Sequence, residues 1–338
     1  MHKIGVFPGK FSPPHRGHLT EILKAGTQCE KLYVVVSHRD SSEFTLKQKL
    51  KWLSIELSGL AHIKVVGLDE TRIPEYPYGW QEWAIKLSET VEPFDVIFGG
   101  EPEYADVGYT KYFPHVKYAL FDKSVSGYPI SATEIKGSPY KNWDYILGAA
   151  REFFVKRVLV TGTESCGKTT LAKTLAKIFH TSWAEEEGRF YSTKYFGGNE
   201  SVFEPDDFYS ICWEQKQIDA RAIKAANKIA FFDTDAVVTQ FYCKMYLGEH
   251  NPKIETMIDP GAYDLVLFME PDVKWVADGF RWNDKDKVRR ELHGELLEMY
   301  KERGFGGKIV EIGGNYQERL ARAAKECGDL IGMRAASL

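Results

Sequence analysis

The stretch "KRVLVTGTESCGKTTLAKTLAKIF", residues 156–179, decides the fold of the second half of the chain. A strand-like run (156–162) leads into the pattern G-x-x-x-x-G-K-[ST], and a helix-like segment (167–179) follows it. Strand, glycine-rich turn and helix in this order are typical of a phosphate-binding loop. Glycines let backbone N–H groups turn toward phosphate oxygens, and the helix N-terminus adds partial positive charge. We therefore predict a polyphosphate site here. The alternative is a glycine-rich helix cap beside an exposed lysine.

The residues of this loop have different expected roles. Lys168 is expected to reach the β- and γ-phosphates, and the Thr169 hydroxyl is expected to hold Mg²⁺. Cys166 is interpreted as a small residue that fills space, not as a redox sensor. The candidate nucleotide-binding residues are Gly162, Glu164, Ser165, Cys166, Gly167, Lys168, Thr169 and Thr170.

Phosphoryl transfer also needs a carboxylate that orients the metal and a group that aligns the acceptor hydroxyl. The segment "FFDTDAVVTQ" places Asp233 and Asp235 where a strand ends, which is where ligands bind in open α/β sheets. The segment "AEEEGRFY" supplies further acidic residues. For Glu185 and Glu187 in that segment, a solvated helix start is the better interpretation.

A cluster of arginines follows in "WVADGFRWNDKDKVRR". Arg281 is a candidate for a lid that closes over the transferred phosphate. For Arg289 and Arg290, a lid and a charged surface helix are equally compatible with the sequence.

The periodicity of both halves predicts an α/β fold with two parallel sheets. A linker-like stretch, "KGSPYKNWDY" (136–145), lies between the halves. Predicted strands of the first half are 3–7, 31–37, 62–68, 94–100 and 116–122, with a helix over 45–57. Later strands are 228–233, 263–269 and 308–313, and long helices are expected over 205–227, 285–304 and 315–333.

Composition narrows the class of protein. The 338 residues are more than one typical core holds, so about two domains are expected. The chain has 44 Lys and Arg residues and 48 Asp and Glu residues, so its charge is nearly balanced. The sequence contains no basic tract, which argues against nucleic-acid partners. The five cysteines never form C-x-x-C, and no signal peptide or membrane-spanning run is evident. We therefore expect a cytoplasmic protein with no membrane partner.

The stretch "GKFSPPHRGH", Gly9 to His18, carries a second motif directly after the first strand. A metal site at His15 and His18 would need a third ligand at recognisable spacing, and the sequence offers none. Imidazoles at positions i and i+3 of a first helical turn face the same way. Together with the N–H groups of the loop, they suit charge stabilisation on a triphosphate, as nucleotidyl transfer requires.

These residues resemble the G-x-F-x-P-x-H-x-G-H signature of the nucleotidylyltransferase superfamily. Its second signature, I-S-x-T-x-x-R, is similar to "ISATEIK", Ile130 to Lys136, where lysine replaces arginine and loses the bidentate fork. An ordinary N-capped helix is the alternative for this second segment. The resemblance implies that ATP is bound by Gly9, Lys10, Phe11, His15, His18, Ser131, Thr133 and Lys136.

Together the halves resemble the NadR-type family, which joins a nicotinamide-nucleotide adenylyltransferase to a ribosylnicotinamide kinase. The similarity extends to "IPEYPYGWQEW" (73–83), "DTDAVVTQFYC" (233–243) and "WVADGFR" (275–281). It implies a Rossmann-like nucleotidylyltransferase domain over 1–150 and a P-loop kinase domain over 151–338, both using ATP and Mg²⁺. Some relatives carry an N-terminal helix-turn-helix domain; this chain starts at the first catalytic strand, so no direct transcriptional control is expected.

The resemblance also implies roles for individual residues. Trp80 and Trp83 fall where the family recognises nicotinamide, although tryptophans at this spacing otherwise favour a core position. Glu186 is expected to orient the ribose 5′-hydroxyl, and Arg281 to act at the transferred phosphate. The expected riboside-binding residues are Asp233, Asp235, Tyr191 and Trp213, with Thr169 and Asp233 holding Mg²⁺. A core position is the alternative for Tyr191 and Trp213.

Two other functions stay open at this stage. A phosphopantetheine adenylyltransferase joined to a dephospho-coenzyme A kinase would share both generic signatures. A non-catalytic sensor of ATP and NAD⁺ is the second, although the intact lysine and histidines weigh against it. The expected partners are small molecules (ATP, nicotinamide riboside, the mononucleotide and NAD⁺), and a homo-oligomer is possible.

Overall fold

The computed structural model describes residues 1–121, 128, 130–272 and 286–333. The chain divides into two compact units, Met1–Phe153 and Phe154–Leu338. The division falls inside a helix, Gly148–Phe154, that follows the predicted linker. The linker segment itself packs into the first unit, where Trp143 is only 3% exposed. The segment 136–145 is mostly turns, as its Gly, Ser and Pro predict, and Trp143 is its only buried residue, but the boundary between the units falls later, after Phe153.

The first unit contains a five-stranded sheet in the order β3-β2-β1-β4-β5, and every strand pair is parallel. This is the doubly wound order, with its switch point beside β1, where such folds bind nucleotides. The strands are β1 (His2–Gly9), β2 (Cys29–His38), β3 (Ile63–Asp69), β4 (Val96–Gly99) and β5 (Lys117–Leu120). The helices are α1 (Arg16–Gly26), α2 (Leu46–Glu56), α3 (Trp80–Thr90), α4 (Thr110–Tyr112), α5 (Ala132–Gly137) and α6 (Gly148–Phe154).

The second unit contains another five-stranded parallel sheet, in the order β10-β9-β6-β8-β7. Its first strand again lies at the centre, so the loop that follows β6 starts at a switch point. The strands are β6 (Lys156–Thr161), β7 (Trp183–Ala184), β8 (Ile229–Asp233), β9 (Leu265–Met269) and β10 (Ile309–Ile312). The helices are α7 (Lys168–Ile178), α8 (Glu187–Phe196), α9 (Pro205–Ala225), α10 (Ala236–Leu247), α11 (Pro252–Glu255), α12 (Asp286–Glu302) and α13 (Tyr316–Leu330).

The sequence pattern explains the layering. Strands β8 and β9 are buried at every position, as expected for parallel strands covered by helices on both faces. The apolar faces of α1, α2 and the strands of the first unit meet in one core, which includes Ile22, Leu53 and Val34. The predicted fold class, α/β with two parallel sheets, is confirmed. Within the described ranges, no helix combines the length and apolar character that crossing a bilayer requires.

Candidate active sites

A cavity of about 1240 Å³ opens at the carboxyl end of β1 in the first unit. It brings together every residue that the sequence assigned to the adenylyltransferase half, although these residues come from three separate segments. They are Gly9, Lys10, Phe11, His15, His18, Trp80, Trp83, Ser131, Thr133 and Lys136.

The two histidines form a stacked pair at the start of α1. His15 is the N-cap residue, and its backbone N–H donates to Nδ1 of His18 at 3.3 Å. Their ring centroids lie 3.7 Å apart with an interplanar angle of 28°. His15 is 6% exposed, and burial lowers its pKa to about 4. Since burial favours the neutral imidazole, His15 enters the binding step uncharged at neutral pH.

Two buried residues, Phe11 and Lys49, hold the loop between β1 and α1 in place. Phe11 adopts a left-handed φ of 46°, is 1% exposed and packs edge-to-face on His18 at 5.0 Å. Lys49 on α2 is also 1% exposed and donates to the carbonyls of Lys10 (3.1 Å) and Ser37 (2.6 Å). Burial lowers the pKa of Lys49 to about 8. Sequence reasoning missed Lys49, because a lysine in an amphipathic helix gives no sign that it is buried.

Aromatic rings form the far wall of this cavity. Trp80 lies 5.6 Å from Trp83, 5.4 Å from Tyr104 and 5.3 Å from Tyr109 between ring centroids. The indole N–H of Trp83 donates to Glu70 at 2.9 Å, whereas the buried indole N–H of Trp80 has no hydrogen-bond partner among the described residues. A buried donor left unpaired is costly, which makes Trp80 a candidate to bind a ligand acceptor. The two tyrosines were not predicted from the sequence.

The second signature forms the short helix α5. Ser131 is its N-cap, and its hydroxyl oxygen accepts from the backbone N–H of Glu134 at 3.2 Å. The Glu134 carboxylate accepts in return from the Ser131 N–H (2.8 Å) and hydroxyl (2.7 Å). The capped helix expected as an alternative is therefore present, and its Thr133 and Lys136 still line the cavity.

The phosphate loop of the second unit has the strained turn that its glycines predict. Gly162 has a φ of +140°, and a side chain there would overlap the Met269 carbonyl at 2.7 Å. Ser165 adopts a φ of 60° and Gly167 a φ of 89° at the start of α7. Cys166 is fully buried and donates to the Thr163 carbonyl at 2.9 Å, and burial raises the pKa of its thiol. These facts favour the space-filling interpretation of Cys166.

Lys168, Thr169 and Asp233 meet at the carboxyl ends of β6 and β8. The Lys168 ammonium donates to the Thr163 carbonyl at 3.0 Å. Burial alone would lower the pKa of Lys168, but Cys166 and the carboxylates of Glu186 and Asp233 outweigh burial and raise it. The ammonium therefore stays charged.

Asp233 and Thr169 suit a Mg²⁺ ion. The Thr169 hydroxyl donates to Oδ2 of Asp233 at 2.5 Å, and Oδ1 of this fully buried carboxyl has no partner among the described residues. Burial, then the charge of Glu186, raises the pKa of Asp233 to about 7. A buried oxygen without a donor, beside a hydroxyl oxygen, is the type of ligand set that Mg²⁺ prefers. The residues present therefore fit this ion.

A smaller cavity of about 190 Å³ extends from the loop. It includes seven of the residues predicted for the kinase half: Glu164, Ser165, Gly167, Lys168, Thr169, Thr170 and Glu186. Gly162 and Cys166 shape the loop from behind. Arg281 lies outside the described residues.

None of the four predicted riboside-binding residues lines this cavity. Asp233 lies next to it, bonded to Thr169, and the other three lie elsewhere. Asp235 is 4% exposed, and its Oδ1 accepts from Val237 N–H, Val238 N–H and the Tyr300 hydroxyl, so it caps α10. Tyr191 is 8% exposed and donates to Asp207 at 2.9 Å. Trp213 lies on an exposed part of α9. Helix capping accounts for Asp235 and core packing for Tyr191, whereas Trp213 lies outside the lining of this cavity and its role stays a prediction.

Other residues line this cavity that sequence reasoning did not single out. Phe208, Tyr242 and Tyr246 line the cavity, together with Glu200, whose carboxylate accepts from the Tyr246 hydroxyl at 2.8 Å. Thr234, between the two aspartates of the β8 end, has a left-handed φ of 69° and also lines the cavity. Only its position at the end of a strand could have singled it out.

One prediction about surface charge is wrong, and one of two open alternatives is excluded. Glu187 is 5% exposed, and its N–H donates to the Gln215 side chain at 2.9 Å. Burial and the neighbouring Glu214 raise the pKa of Glu187 to about 7. Arg289 is 4% exposed, which excludes the surface interpretation for it, whereas Arg290 is exposed. For Glu187, the contact with Gln215 on α9 cannot be inferred from the local sequence pattern.

Comparison with known proteins identifies the family. The AAA domain profile matches residues 157–319. The trifunctional NAD biosynthesis/regulator protein NadR of Escherichia coli K12 is 32% identical over 348 aligned positions, covering 97% of this chain and 83% of that protein. The chain belongs to the NadR family. The resemblance inferred from the motifs is thereby confirmed.

Solved NadR structures agree over the whole fold. Crystal structures of NadR with NR, and with NAD and AMP-PNP, match at a TM-score of 0.84 with 29% identity, covering 99% of this chain and 97% of theirs. A phosphopantetheine adenylyltransferase of Helicobacter pylori G27 is 32% identical over only 71 residues, 20% of this chain and 45% of that protein. The coenzyme A alternative is therefore supported only by a short segment, whereas NadR matches throughout.

Proposed function

We propose that this chain is a bifunctional enzyme of NAD salvage. The second unit phosphorylates nicotinamide riboside with ATP, and the first unit joins the resulting mononucleotide to AMP from a second ATP, which gives NAD⁺ and pyrophosphate. The observation that carries this proposal is one phosphate-binding loop in each unit of a NadR-family chain, each loop opening into its own cavity. We assign about residues 1–150 to adenylyl transfer and 151–338 to phosphorylation, and the division of the chain into units Met1–Phe153 and Phe154–Leu338 supports this assignment.

In the kinase unit, the riboside 5′-hydroxyl attacks the γ-phosphate while ADP leaves. Lys168 and the inward N–H groups of the loop neutralise charge on the transferred group. Glu186 lines the cavity beside the loop, which supports its proposed role in orienting the attacking hydroxyl. Thr169 and Asp233 would hold Mg²⁺, which lowers the electrostatic cost of crowded phosphate charge when it is bound.

In the adenylyltransferase unit, the mononucleotide phosphate attacks the α-phosphate of ATP and pyrophosphate leaves. No covalent intermediate with the protein is needed, because positioning and charge stabilisation suffice. The stacked histidines, Lys10 and Lys136 line one cavity, which supports their proposed role around the triphosphate. A neutral His15 can donate an N–H to a phosphate oxygen. Charge developing on the pyrophosphate oxygens therefore meets donors that are already in place.

The aromatic wall of the first cavity suits a pyridinium ring. Indole and phenol faces attract a cation, and the carboxylates of Glu70 and Glu101 also line this cavity. The unpaired Trp80 N–H can donate to the carboxamide oxygen of nicotinamide. A bound NMN would therefore be held by a cation–π contact and one directional hydrogen bond. A homo-oligomer and a site of action in the cytoplasm remain part of the proposal.

One incubation tests the proposal against both alternatives. Purified protein is supplied with Mg·ATP and nicotinamide riboside, NMN, phosphopantetheine or dephospho-coenzyme A in parallel, and products are separated by chromatography. We expect NAD⁺ from the first two substrates and no product from the other two. Turnover of the coenzyme A precursors would favour that alternative, and binding of ATP and NAD⁺ without turnover would favour a sensor.

A further inference from the structure

Arg319 lies behind the phosphate loop, outside the set of cavity-lining residues. It belongs to α13, yet its side chain is 1% exposed and reaches the loop that follows β6. Its Nη1 donates to the carbonyl of Cys166 at 2.6 Å. A buried guanidinium is costly in free energy unless all of its N–H donors have hydrogen-bond partners, so the remaining donors of Arg319 need acceptors as well.

Those other partners lie at the ends of two neighbouring strands. Nε donates to the Gly314 carbonyl at 2.7 Å, after β10, and Nη2 donates to the Glu270 carbonyl at 2.8 Å, after β9. Nη2 also pairs with the carboxylate of Asp272. One side chain therefore ties the phosphate loop to the carboxyl ends of both strands, with the rigidity of a planar fork.

The bond to Cys166 acts on the orientation of the next N–H group. In a planar trans peptide, the carbonyl oxygen and the following N–H point in opposite directions. Holding the Cys166 carbonyl toward Arg319 turns the N–H of Gly167 away from it, on the side where the loop receives phosphate. Gly167 has a φ of 89°, and the neighbouring Ser165 has a φ of 60°, so this turn depends on its surroundings to persist.

We propose that Arg319 is a positioning residue of the kinase site, a role that rests on the proposed function of this unit. It keeps the Gly167 N–H aimed at the phosphates before ATP arrives, so that binding requires no reorganisation of the loop. Arg319 therefore affects the binding of ATP and not that of the riboside. The riboside end of the cavity is built from α8, α9 and α10 and does not depend on Arg319.

The experiment compares Arg319→Lys and Arg319→Met with a matched control, Arg303→Met. Arg303 lies in the same unit and also bonds a carboxylate and a carbonyl, those of Glu255 and Met299. ATP affinity is measured by calorimetry, the KM for each substrate by kinase assay, and folding by thermal melting. We expect the dissociation constant of ATP to rise about 10-fold in Arg319→Lys and about 100-fold in Arg319→Met, and not in the control.

The riboside KM separates positioning from a merely structural role. Positioning raises the ATP KM and leaves the riboside KM within about twofold, whereas partial unfolding lowers kcat and leaves both KM values unchanged. Three results would overturn the inference. They are folded variants with wild-type ATP affinity, a lowered kcat with both KM values unchanged, and failure of both variants to fold. Because ATP binding is measured apart from turnover, a wild-type protein that binds ATP without phosphorylating the riboside contradicts the proposed function and not the role of Arg319.

Discussion

The raised pKa of Asp233 predicts that Mg²⁺ use by the kinase unit depends on pH. The ordinary pKa of an aspartate is 3.8, and that of Asp233 is about 7, because the carboxyl is buried and lies near Glu186. The proton must leave before Mg²⁺ can bind, so rising pH strengthens Mg²⁺ binding. With this pKa, about nine-tenths of the carboxyl is ionised at pH 8 and about one-tenth at pH 6. The apparent dissociation constant of Mg²⁺ should therefore be about tenfold higher at pH 6 than at pH 8.

The assay titrates Mg²⁺ at fixed ATP and riboside at each pH and follows ADP release. Adenylyl transfer by the first unit is measured in the same buffers, since it consumes the same Mg·ATP and corrects for protonation of ATP itself. Asp206→Asn serves as the matched control variant, because Asp206 is an exposed aspartate of the same unit paired with Lys253. A pH-independent Mg²⁺ constant, or one that changes in parallel with adenylyl transfer, would refute the reasoning.

Two further predictions concern packing. Gly108→Ala places a Cβ inside the ring of Trp80 and should raise the KM for NMN about tenfold while leaving the KM for ATP unchanged. The control is Gly137→Ala, where a Cβ meets no atom within 4 Å. An unchanged KM for NMN in Gly108→Ala would contradict the role of the tryptophan. Asp235→Ala removes the cap of α10 and should lower the free energy of unfolding by about 1–3 kcal/mol. Denaturant unfolding measures this loss. The control is Asp259→Ala, because Asp259 is exposed and caps only the short 3-10 turn Pro260–Ala262, where it accepts from the Gly261 N–H at 2.8 Å. We expect this control to cost less than about 1 kcal/mol, and equal losses would argue against a buried structural role for Asp235.

The two phosphate loops could be predicted because the residues that define each loop lie close together in the sequence. The glycines, the lysine and the histidines lie within about ten residues of a strand end, and the strand–turn–helix context fixes their direction. The strand order also follows the rules for parallel sheets, which explains why residues as distant in sequence as His18 and Lys136 meet in one cavity.

The residues that support the loops could not be predicted, because their roles come from contacts across the fold. Lys49, Glu187 and Arg319 are charged residues in helical patterns, where exposure is the ordinary expectation. Each is buried by a neighbouring element that the local pattern does not reveal. Asp235 shows the converse error: its place at a strand end suggested a ligand, but its carboxylate is occupied by backbone N–H groups and the Tyr300 hydroxyl.

The central claim is that each unit performs one step with its own phosphate site. It is tested by feeding Lys168→Ala and His18→Ala separately with riboside or with NMN, in the presence of Mg·ATP, and quantifying NMN and NAD⁺. Lys168→Ala should form NAD⁺ from NMN at the wild-type rate and lose riboside phosphorylation by about 100-fold or more. His18→Ala should convert riboside to NMN and accumulate it without forming NAD⁺. Loss of both steps in each folded variant would contradict two independent sites.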